Sequence, residues 1–369
     1  MKVSVVASLC VERDAISESV RGTIEALNQL PNIQIRLFSF ANEYSGEFDS
    51  RSVSSASDVL LDPYFNSSDV IFYHFGIYYD HFNAILLGNG RARQIVCYHN
   101  VTPPELVPEE NRSLIYRSLR QRANIAVADV ILAVSEYNKS DLVEMGIPSD
   151  KIEVCPLYVK FDTEPGERTS SAPPVNLLYV GRFVRSKGVL DLMDATQQLR
   201  VSGIPFRLRM VGNIDFSDRD YVKLLRERIA QLDLSDTITI HGSVSDEELA
   251  GFYDDAEIFV MPSYHEGFCV PVLEALHAGC VPITYDAGNL PNLVGDFGVI
   301  VPTGDVNALG ASLLSLASQF RAGIPSILTL QSGPISWSRY RAGVVEYLEQ
   351  FSFEQFARRI KKTVLNEPV

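Results

Sequence analysis

The sequence predicts an α/β protein built from two doubly wound domains, and three observations carry that prediction. Short β-branched runs alternate with longer amphipathic stretches along nearly the whole chain, which is how parallel βαβ units read. At 369 residues the chain is longer than one hydrophobic core usually serves. The alternation lapses between Pro156 and Val175, where Thr163, Glu164, Pro165, Gly166, Ser170, Ser171, Pro173 and Pro174 keep no apolar period, and this stretch reads as a linker. The expected domains are residues 1–160 and 161–350, with a closing helix over about 351–369 returning to the first domain.

Taken in order, the first half offers strands at Val3–Ala7, Ile33–Phe40, Val70–Tyr73, Ile95–Tyr98, Val130–Val134 and Ile152–Val154. Amphipathic helices fit between them at Ile16–Leu30, Arg112–Ala128 and Glu136–Met145. The second half offers strands at Asn176–Val180, Arg207–Val211, Thr237–His241, Ile258–Met261, Val281–Thr284 and Val299–Val301. Its helices fit at Gly188–Leu199, Asp220–Leu232, Asp246–Tyr253, Val272–Ala278 and Val306–Ser318, and Phe353–Leu365 closes the chain with no strand after it. Doubly wound sheets bind ligands beyond the carboxyl ends of their strands, so two such Rossmann-like domains are expected to face each other across a cleft that holds the site.

Composition narrows the function classes. With 46% hydrophobic and 21% charged residues, 23 Gly and 19 Pro, the chain is neither disordered, collagen-like nor a disulfide scaffold. Its 32 Lys and Arg against 46 Asp and Glu give a formal charge of −14, with acids in excess in both halves, which argues against a duplex nucleic-acid binder. Cys10, Cys97, Cys155, Cys269 and Cys280 are odd in number, with no Cys-x-x-Cys pair, so neither a disulfide framework nor a zinc site is signalled. The apolar start Met1–Ala7 soon meets Glu12, Arg13 and Asp14 and reads as a first strand rather than a leader. No run is long enough to span a bilayer, so a cytoplasmic protein is expected, with any membrane contact peripheral.

Chemistry concentrates after the second-half strands. In Pro262-Ser263-Tyr264-His265-Glu266-Gly267-Phe268-Cys269-Val270-Pro271-Val272-Leu273-Glu274, a strand ends at Met261, a loop carries Glu266 and Gly267, and Pro271 suits the first turn of a helix. The amides of Val270 to Leu273, Pro271 excepted, have no intrahelical partner and would be satisfied by an anion such as a diphosphate. Glu274 can accept two vicinal hydroxyls, as ribose presents them, and Glu266 can meet a sugar ring beside the phosphate. A solvated loop acid at 266 and a helix-dipole partner at 274, worth about 0.3–1 kcal/mol, account for the same residues more plainly.

In Val180-Gly181-Arg182-Phe183-Val184-Arg185-Ser186-Lys187-Gly188, Gly181 allows close backbone approach and Arg182 and Lys187 bracket a strand-to-helix turn suited to a leaving diphosphate. Two surface cations are the plainer account. Ser245 and Glu248 form a capping box, while the backbone of Gly242 to Val244 stands at a strand end where a base could be read. In the first half, Tyr73-His74-Phe75-Gly76 and Tyr98-His99-Asn100-Val101-Thr102 each place a histidine just past a strand, where imidazole can donate to a sugar hydroxyl or a phosphate. A single histidine so placed is more often structural; two at equivalent strand ends shift the balance toward function.

Together, Gly181-Arg182-x4-Lys187-Gly188, His241-Gly242-x-Val244 and Glu266-Gly267-Phe268-x2-Pro271-x2-Glu274-Ala275 resemble the family-four retaining glycosyltransferases of GT-B fold, the glycosyl transferases group 1. The Tyr98–Pro104 stretch and the closing Phe351-Ser352-Phe353-Glu354 also look like that family. The resemblance implies that Arg182 and Lys187 hold the diphosphate of a sugar nucleotide and Glu274 the ribose hydroxyls. It gives the transferred hexose to Glu266 and the backbone of Gly267, Phe268, Cys269 and Val270, and the base to Gly242, Val244 and their neighbours, with Gly181 at the donor turn. His99 would meet the sugar near the reacting carbon, with His74 and Asn100 on the acceptor side. No metal and no further cofactor are implied. An Asp-x-Asp at Asp218 and Asp220 reads as coincidence in so acidic a chain.

Two departures from the family stand out. Ser8–Arg13 occupies the place of a Gly-Gly loop after the first strand, and Cys269-Val270 replaces the more usual Gly-Leu. The expected reaction is transfer of a hexose, with GDP-mannose set ahead of UDP-hexoses as donor, to a glycan or lipid-linked acceptor in surface polysaccharide assembly. A sugar-nucleotide epimerase, a phosphorylase of the same fold, or a non-catalytic nucleotide-sugar-binding partner are the alternatives. Arg112, Arg117, Arg120 and Arg122, interleaved with Leu114, Ile115, Tyr116 and Leu119, read either as a helix meeting the anionic inner face of a membrane or as a packed helix with a basic outer face. Gly323–Ser338 is unusual in composition and carries no functional expectation.

Overall fold

The computed structural model describes residues 1–12, 14–44, 46–161, 173–214 and 217–366. The chain divides into two compact units, Met1–Lys160 with Gln350–Val369, and Phe161–Glu349. Of the expected linker, residues 162–172 lie outside the described residues. Its first part is no linker: Leu157 and Val159 are buried, and the Val159 amide donates to Phe351 O at 2.9 Å.

The first unit is a seven-stranded sheet of β1 (Lys2–Val6), β2 (Gln34–Ser39), β3 (Ser50–Ser52), β4 (Val70–Phe75), β5 (Arg93–Tyr98), β6 (Val130–Ala133) and β7 (Ile152–Val154). The spatial order is β3-β2-β1-β4-β5-β6-β7, with every neighbouring pair parallel. The chain starts in the middle, winds outward through β2 and β3, and then returns beside β1. The switch of direction therefore falls between β1 and β4. Strand interiors are apolar on both faces, as helix-covered parallel sheets require, and all six residues of β4 are buried.

The helix α1 (Ala15–Asn28) starts at Asp14, whose carboxylate accepts the Ser17 amide at 2.8 Å. The helix expected at Arg112–Ala128 is an α-helix, α2 (Glu109–Gln121), followed by a tighter 3-10 turn over Arg122–Val127. Glu109 and Glu110 thus occupy its first turn, where the helix dipole favours them. A further helix, α3 (Glu136–Glu144), is capped by Ser135.

The second unit is a six-stranded sheet of β8 (Val175–Val180), β9 (Phe206–Val211), β10 (Ile238–His241), β11 (Ile258–Met261), β12 (Val281–Tyr285) and β13 (Val299–Val301). Its order is β10-β9-β8-β11-β12-β13, again with every pair parallel. The switch point lies between β8 and β11, so the Gly181–Gly188 turn and the Pro262–Cys269 loop leave adjacent strands. Among the helices of this unit are α4 (Val189–Val201), α5 (Arg219–Gln231), α6 (Asp246–Asp255), α7 (Val270–Ala278) and α8 (Val306–Phe320).

The stretch Gly323–Ser338 resolves into an antiparallel hairpin, Ile327–Leu330 with Gly333–Ser336. Ser336 then caps a helix that the sequence reading omitted, α9 (Trp337–Leu348), whose buried face is Tyr340, Val344 and Leu348. Their four-residue spacing was the available signal.

The closing helix α10 (Phe353–Leu365) packs on α1 and completes the first unit. Tyr158 lies against the Phe353 and Phe356 rings of α10, at 5.0 Å between centroids in each case. It reaches α1 only because residue 22 is glycine: a Cβ there would meet Tyr158 Cε1 at 2.1 Å. Phe356 is 1% exposed. We expect Phe356→Ala to destabilise the first unit by about 3–5 kcal/mol, as read from the denaturation midpoint of the full chain.

Candidate functional site

The turn after β8 is shaped by close backbone approach. A Cβ on Gly188, whose φ is +62°, would sit 2.0 Å from Pro262 O, so the start of α4 rests directly on the end of β11. Ser186 O accepts the Tyr264 amide at 2.8 Å, joining the two strand-end loops. On the other flank, a Cβ on Gly288 (φ +59°) would meet Glu266 O at 2.2 Å, and that oxygen accepts the Asn289 amide at 2.8 Å. The Glu266 loop is thus clamped between the segments that follow β8 and β12.

Inside this clamp the Lys187 ammonium meets Glu266 Oε1 at 2.5 Å. Glu266 is buried and Lys187 half-buried, so neither is the solvated surface charge that the plainer account supposed. Asp191, in the first turn of α4, accepts Tyr264 OH at 2.6 Å and Tyr285 OH at 2.8 Å. Arg182 remains exposed, and its backbone carbonyl accepts Tyr179 OH at 2.8 Å.

Helix α7 begins as expected, with Pro271 in its first turn, though two residues earlier than the expected Val272. Its N-cap, Cys269, makes no side-chain capping bond and holds φ +111°, a conformation that favours glycine. The Val272 amide turns to Cys269 O at 3.3 Å, a correction to the expectation that it stays without a partner. The Cys269 thiol is pushed well above its usual range by burial, with Glu266 adding to the effect, so it is a packed thiol and not a nucleophile. The other end of α7 is closed: Gly279 takes a left-handed turn, and the Arg341 guanidinium donates to Leu276 O and His277 O, both at 2.8 Å.

Glu274 stands one turn into α7. Tyr253 OH donates to its Oε2 at 2.7 Å. Desolvation raises the Glu274 pKa, and the Tyr253 hydrogen bond works in the opposite direction. Gly242 and half-buried Val244 follow β10 at the sheet edge, and both halves of the Ser245–Glu248 capping box form. Asp218 caps α5, in keeping with a structural account of the Asp-x-Asp.

In the first unit, His74 and Cys97 are register partners on β4 and β5, and the His99 amide donates to Phe75 O at 2.8 Å. His74 Nδ1 and His99 Nε2 are 3.1 Å apart, with the rings stacked at 5.4 Å. Burial lowers the His74 pKa well below its usual value, with His99 adding to the effect, and burial lowers His99 to about 4 despite Asp14. Asn100, at φ +79°, gives its amide nitrogen to Asn138 Oδ1 at 2.8 Å, a bond that holds the strand-end loop. The residues that replace the Gly-Gly loop are also built in: Leu9 and Cys10 pair with Ala41 and Asn42.

His74, Cys97 and His99 have ligand atoms within 4.8 Å of one another, a donor set suited to a soft metal. The two imidazole nitrogens are already committed to each other, and burial pushes the Cys97 thiol well up. We assign no metal to them.

Sequence reasoning brought Arg182, Lys187, Glu266 and the start of α7 to neighbouring strand ends. It missed Asp191, Tyr253, Tyr285 and Gly288, none of which stands in a motif, and gave no role to Tyr264, which stands beside Glu266 in the quoted segment.

Two parallel doubly wound units, one carrying cations and an uncapped helix start at its switch point, define the class of two-domain α/β proteins that take anionic nucleotide ligands. Residues 161–319 match the family model described as Glycosyl transferases group 1, and residues 46–162 match that described as Glycosyltransferase Family 4. The chain is 28% identical over 236 residues to the O-antigen chain mannosyltransferase B of Escherichia coli, a match that takes in 60% of each chain. It is 26% identical over 289 residues to the GDP-mannose:cellobiosyl-diphosphopolyprenol alpha-mannosyltransferase of Xanthomonas campestris, covering 77% of this chain and 74% of that one. The chain thus spans about three-fifths of the length of the first relative and about three-quarters of the second.

In fold it resembles the lipopolysaccharide outer core galactosyltransferase WaaB, with a TM-score of 0.75 at 17% identity over 100% of both chains. The two models, matched in tandem, together take in residues 46–319, and both describe glycosyltransferases.

The His74 and His99 imidazoles contribute a pH dependence of stability. Both have folded pKa values below the unfolded value, so below about pH 6.5 the unfolded chain binds protons that the folded chain refuses. Stability is therefore full above that pH and falls as pH drops toward 4, at up to about 1.4 kcal/mol per unit for each imidazole. Melting temperature should fall between pH 7 and pH 5, with a shallower decline in His99→Phe.

Proposed function

We propose that the protein is a hexosyltransferase that moves a hexose, mannose from GDP-mannose in the first instance, to a glycan or lipid-linked acceptor in surface polysaccharide biosynthesis. One observation carries the reading: half-buried Lys187 pairs with buried Glu266 at the switch point, beside an uncapped helix start. The curated relatives above, both named as mannosyltransferases, support the choice of sugar.

The bond between the anomeric carbon and the diphosphate oxygen breaks, and the acceptor hydroxyl forms the new bond on the same face, with retention. The leaving diphosphate carries away the developing negative charge, and its oxygen takes the acceptor's proton. Arg182 and Lys187, together with the Val270 amide, are set to stabilise that charge without a metal, since stabilising the leaving group is where electrostatic preorganisation acts most strongly. Lys187 then divides its donors between the phosphate and Glu266, while Glu266 accepts hexose hydroxyls with its remaining lone pairs. Glu274, oriented by Tyr253, accepts the ribose hydroxyls. Gly242 and Val244 meet the base, and the backbone of Gly267, Phe268 and Cys269 lies along the sugar. His99 donates to a sugar oxygen.

A peripheral membrane contact through α2 is part of the same reading, in narrower form. Arg122 is bound to Asp141 at 2.5 and 2.7 Å and half-buried Arg112 donates to Pro104 O at 3.1 Å, so the outward basic face reduces to Arg117, which stacks on Tyr78 at 3.7 Å, and Arg120, beside exposed Leu114 and Tyr116. No helix among the described residues is long and apolar enough to cross a membrane. Vesicles containing anionic lipid should carry the chain on flotation and neutral vesicles should not, with Arg120→Glu abolishing the difference.

The transfer reaction is tested with Arg182→Ala and Glu274→Gln. Each should cut donor-dependent transfer by on the order of 10²-fold while leaving the melting temperature close to that of the parent chain. Lys187→Ala is the less clean variant, because it strands Glu266 without its partner and lowers stability as well as activity. GDP should raise the melting temperature of the parent chain more than UDP does. Undiminished transfer by Glu274→Gln would overturn the assignment, and an epimerised donor formed without acceptor would favour the epimerase.

A further inference from the structure

The His74–His99 pair carries more information than a contact. His74 is 1% exposed and wedged beside the Phe72 ring, at 5.2 Å between centroids, and its Nε2 has no hydrogen-bond partner among the described residues. Its Nδ1 faces His99 Nε2 at 3.1 Å, so a single hydrogen lies between two neutral rings. Two arrangements satisfy that bond.

In the first, His99 donates from Nε2 and His74 accepts at Nδ1. The His74 hydrogen then sits on Nε2 as a buried N–H facing no acceptor. In the second, His74 donates from Nδ1, and its Nε2 keeps only a lone pair. Orphaned buried N–H groups are rarer than under-used acceptors, since the donor loses its whole hydrogen bond on burial. The second arrangement is therefore the stable one. It obliges His99 to carry its own hydrogen on Nδ1.

We propose that His74 is the positioning residue of the site: through the Nδ1–H···Nε2 bond it fixes both the ring plane and the tautomer of His99, which then presents Nδ1–H as a donor to a hydroxyl-bearing ligand at the strand ends of the first unit. This rests on the reading of His99 as a sugar contact. It deepens that reading by excluding His99 Nε2 as the base for the acceptor's proton, because that lone pair is already occupied. A donor-only imidazole suits a reaction in which the leaving phosphate takes the proton, and it discriminates for an oxygen lone pair at the bound sugar.

The test uses the full chain and reads the tautomer directly. Histidine-selective ¹⁵N NMR of the ligand-free protein at neutral pH should show His99 protonated at Nδ1 and His74 likewise. In His74→Phe the His99 signal should move to the Nε2–H form or to a mixture. The same variant should lose on the order of tenfold in kcat, as wrong-tautomer imidazoles do, with donor KM changed by less than about twofold. His74→Asn, which keeps a side-chain N–H donor near the same position, should recover most of kcat.

An Nε2–H tautomer at His99 in the parent chain overturns the proposal, as does His74→Phe with kcat unchanged. If His74→Phe fails to fold, the parent spectrum alone decides. Loss of the sugar-contact reading looks different: transfer would then survive in His99→Ala, whatever the tautomer.

Discussion

The structure of the second unit turns on two places where no side chain can stand. Gly188 lies with its α-carbon against Pro262 O, and Gly288 lies against the backbone of Glu266. Both hold positive φ, which glycine adopts without strain. These approaches bring the segments after β8, β11 and β12 within hydrogen-bonding distance of one another. Only then can Lys187 reach Glu266, and only then can Asp191 collect the hydroxyls of Tyr264 and Tyr285. A methyl group at either position would push the backbone of the carboxylate loop outward and open the ion pair to water. The charge chemistry of the site is thus a consequence of backbone packing.

Helix α7 shows the same division between support and function at its two ends. Its C-terminal carbonyls are closed by Gly279 and Arg341, so the negative end of the dipole is neutralised inside the unit. Its N-terminus has no side-chain cap, and Cys269 holds a conformation that costs of order 1–3 kcal/mol for a residue with a Cβ. Strain of this kind persists where surrounding structure over-determines the backbone. Here the neighbour that fixes it is the Glu266 loop, clamped from both sides.

Much of this was legible in the sequence because it is local. Strand cores announce themselves as β-branched runs, Pro271 marks a helix start, and Arg182, Lys187, Glu266 and Glu274 follow strands that end in recognisable turns. What could not be read are pairings between segments far apart in the chain. Lys187 meets Glu266 across 79 positions and Tyr264 meets Asp191 across 73, and no spacing rule connects them. The plainer account of Glu266 as a solvated acid failed for that reason: burial of a carboxylate depends on a partner that the motif does not name. Helix α9 was missed because a hairpin of unusual composition precedes it, although its buried positions kept a helical spacing. The early part of the expected linker was misjudged because Pro156 interrupts the pattern while Leu157 and Val159 still pack.

The two units handle charge in opposite ways, and this bears on what each can bind. In the second, half-buried Lys187 pairs with buried Glu266 beside exposed Arg182 and a helix start without a side-chain cap, so an anion of the proposed kind would find positive partners already in place. In the first, burial keeps His74 and His99 neutral, and Asp14, the carboxylate whose charge acts on His99, caps α1. A neutral hydrogen-bonding group suits a hydroxyl, and it neither attracts nor repels a phosphate at long range. In a chain of charge −14 the anion must therefore be drawn by a few converging cations rather than by the field of the whole molecule. Those cations cluster at the switch point of one sheet, and the uncharged hydrogen-bonding groups cluster at the strand ends of the other. On the proposed reading, diphosphate recognition falls to the unit that carries the cations and hydroxyl recognition to the unit that carries the neutral imidazoles.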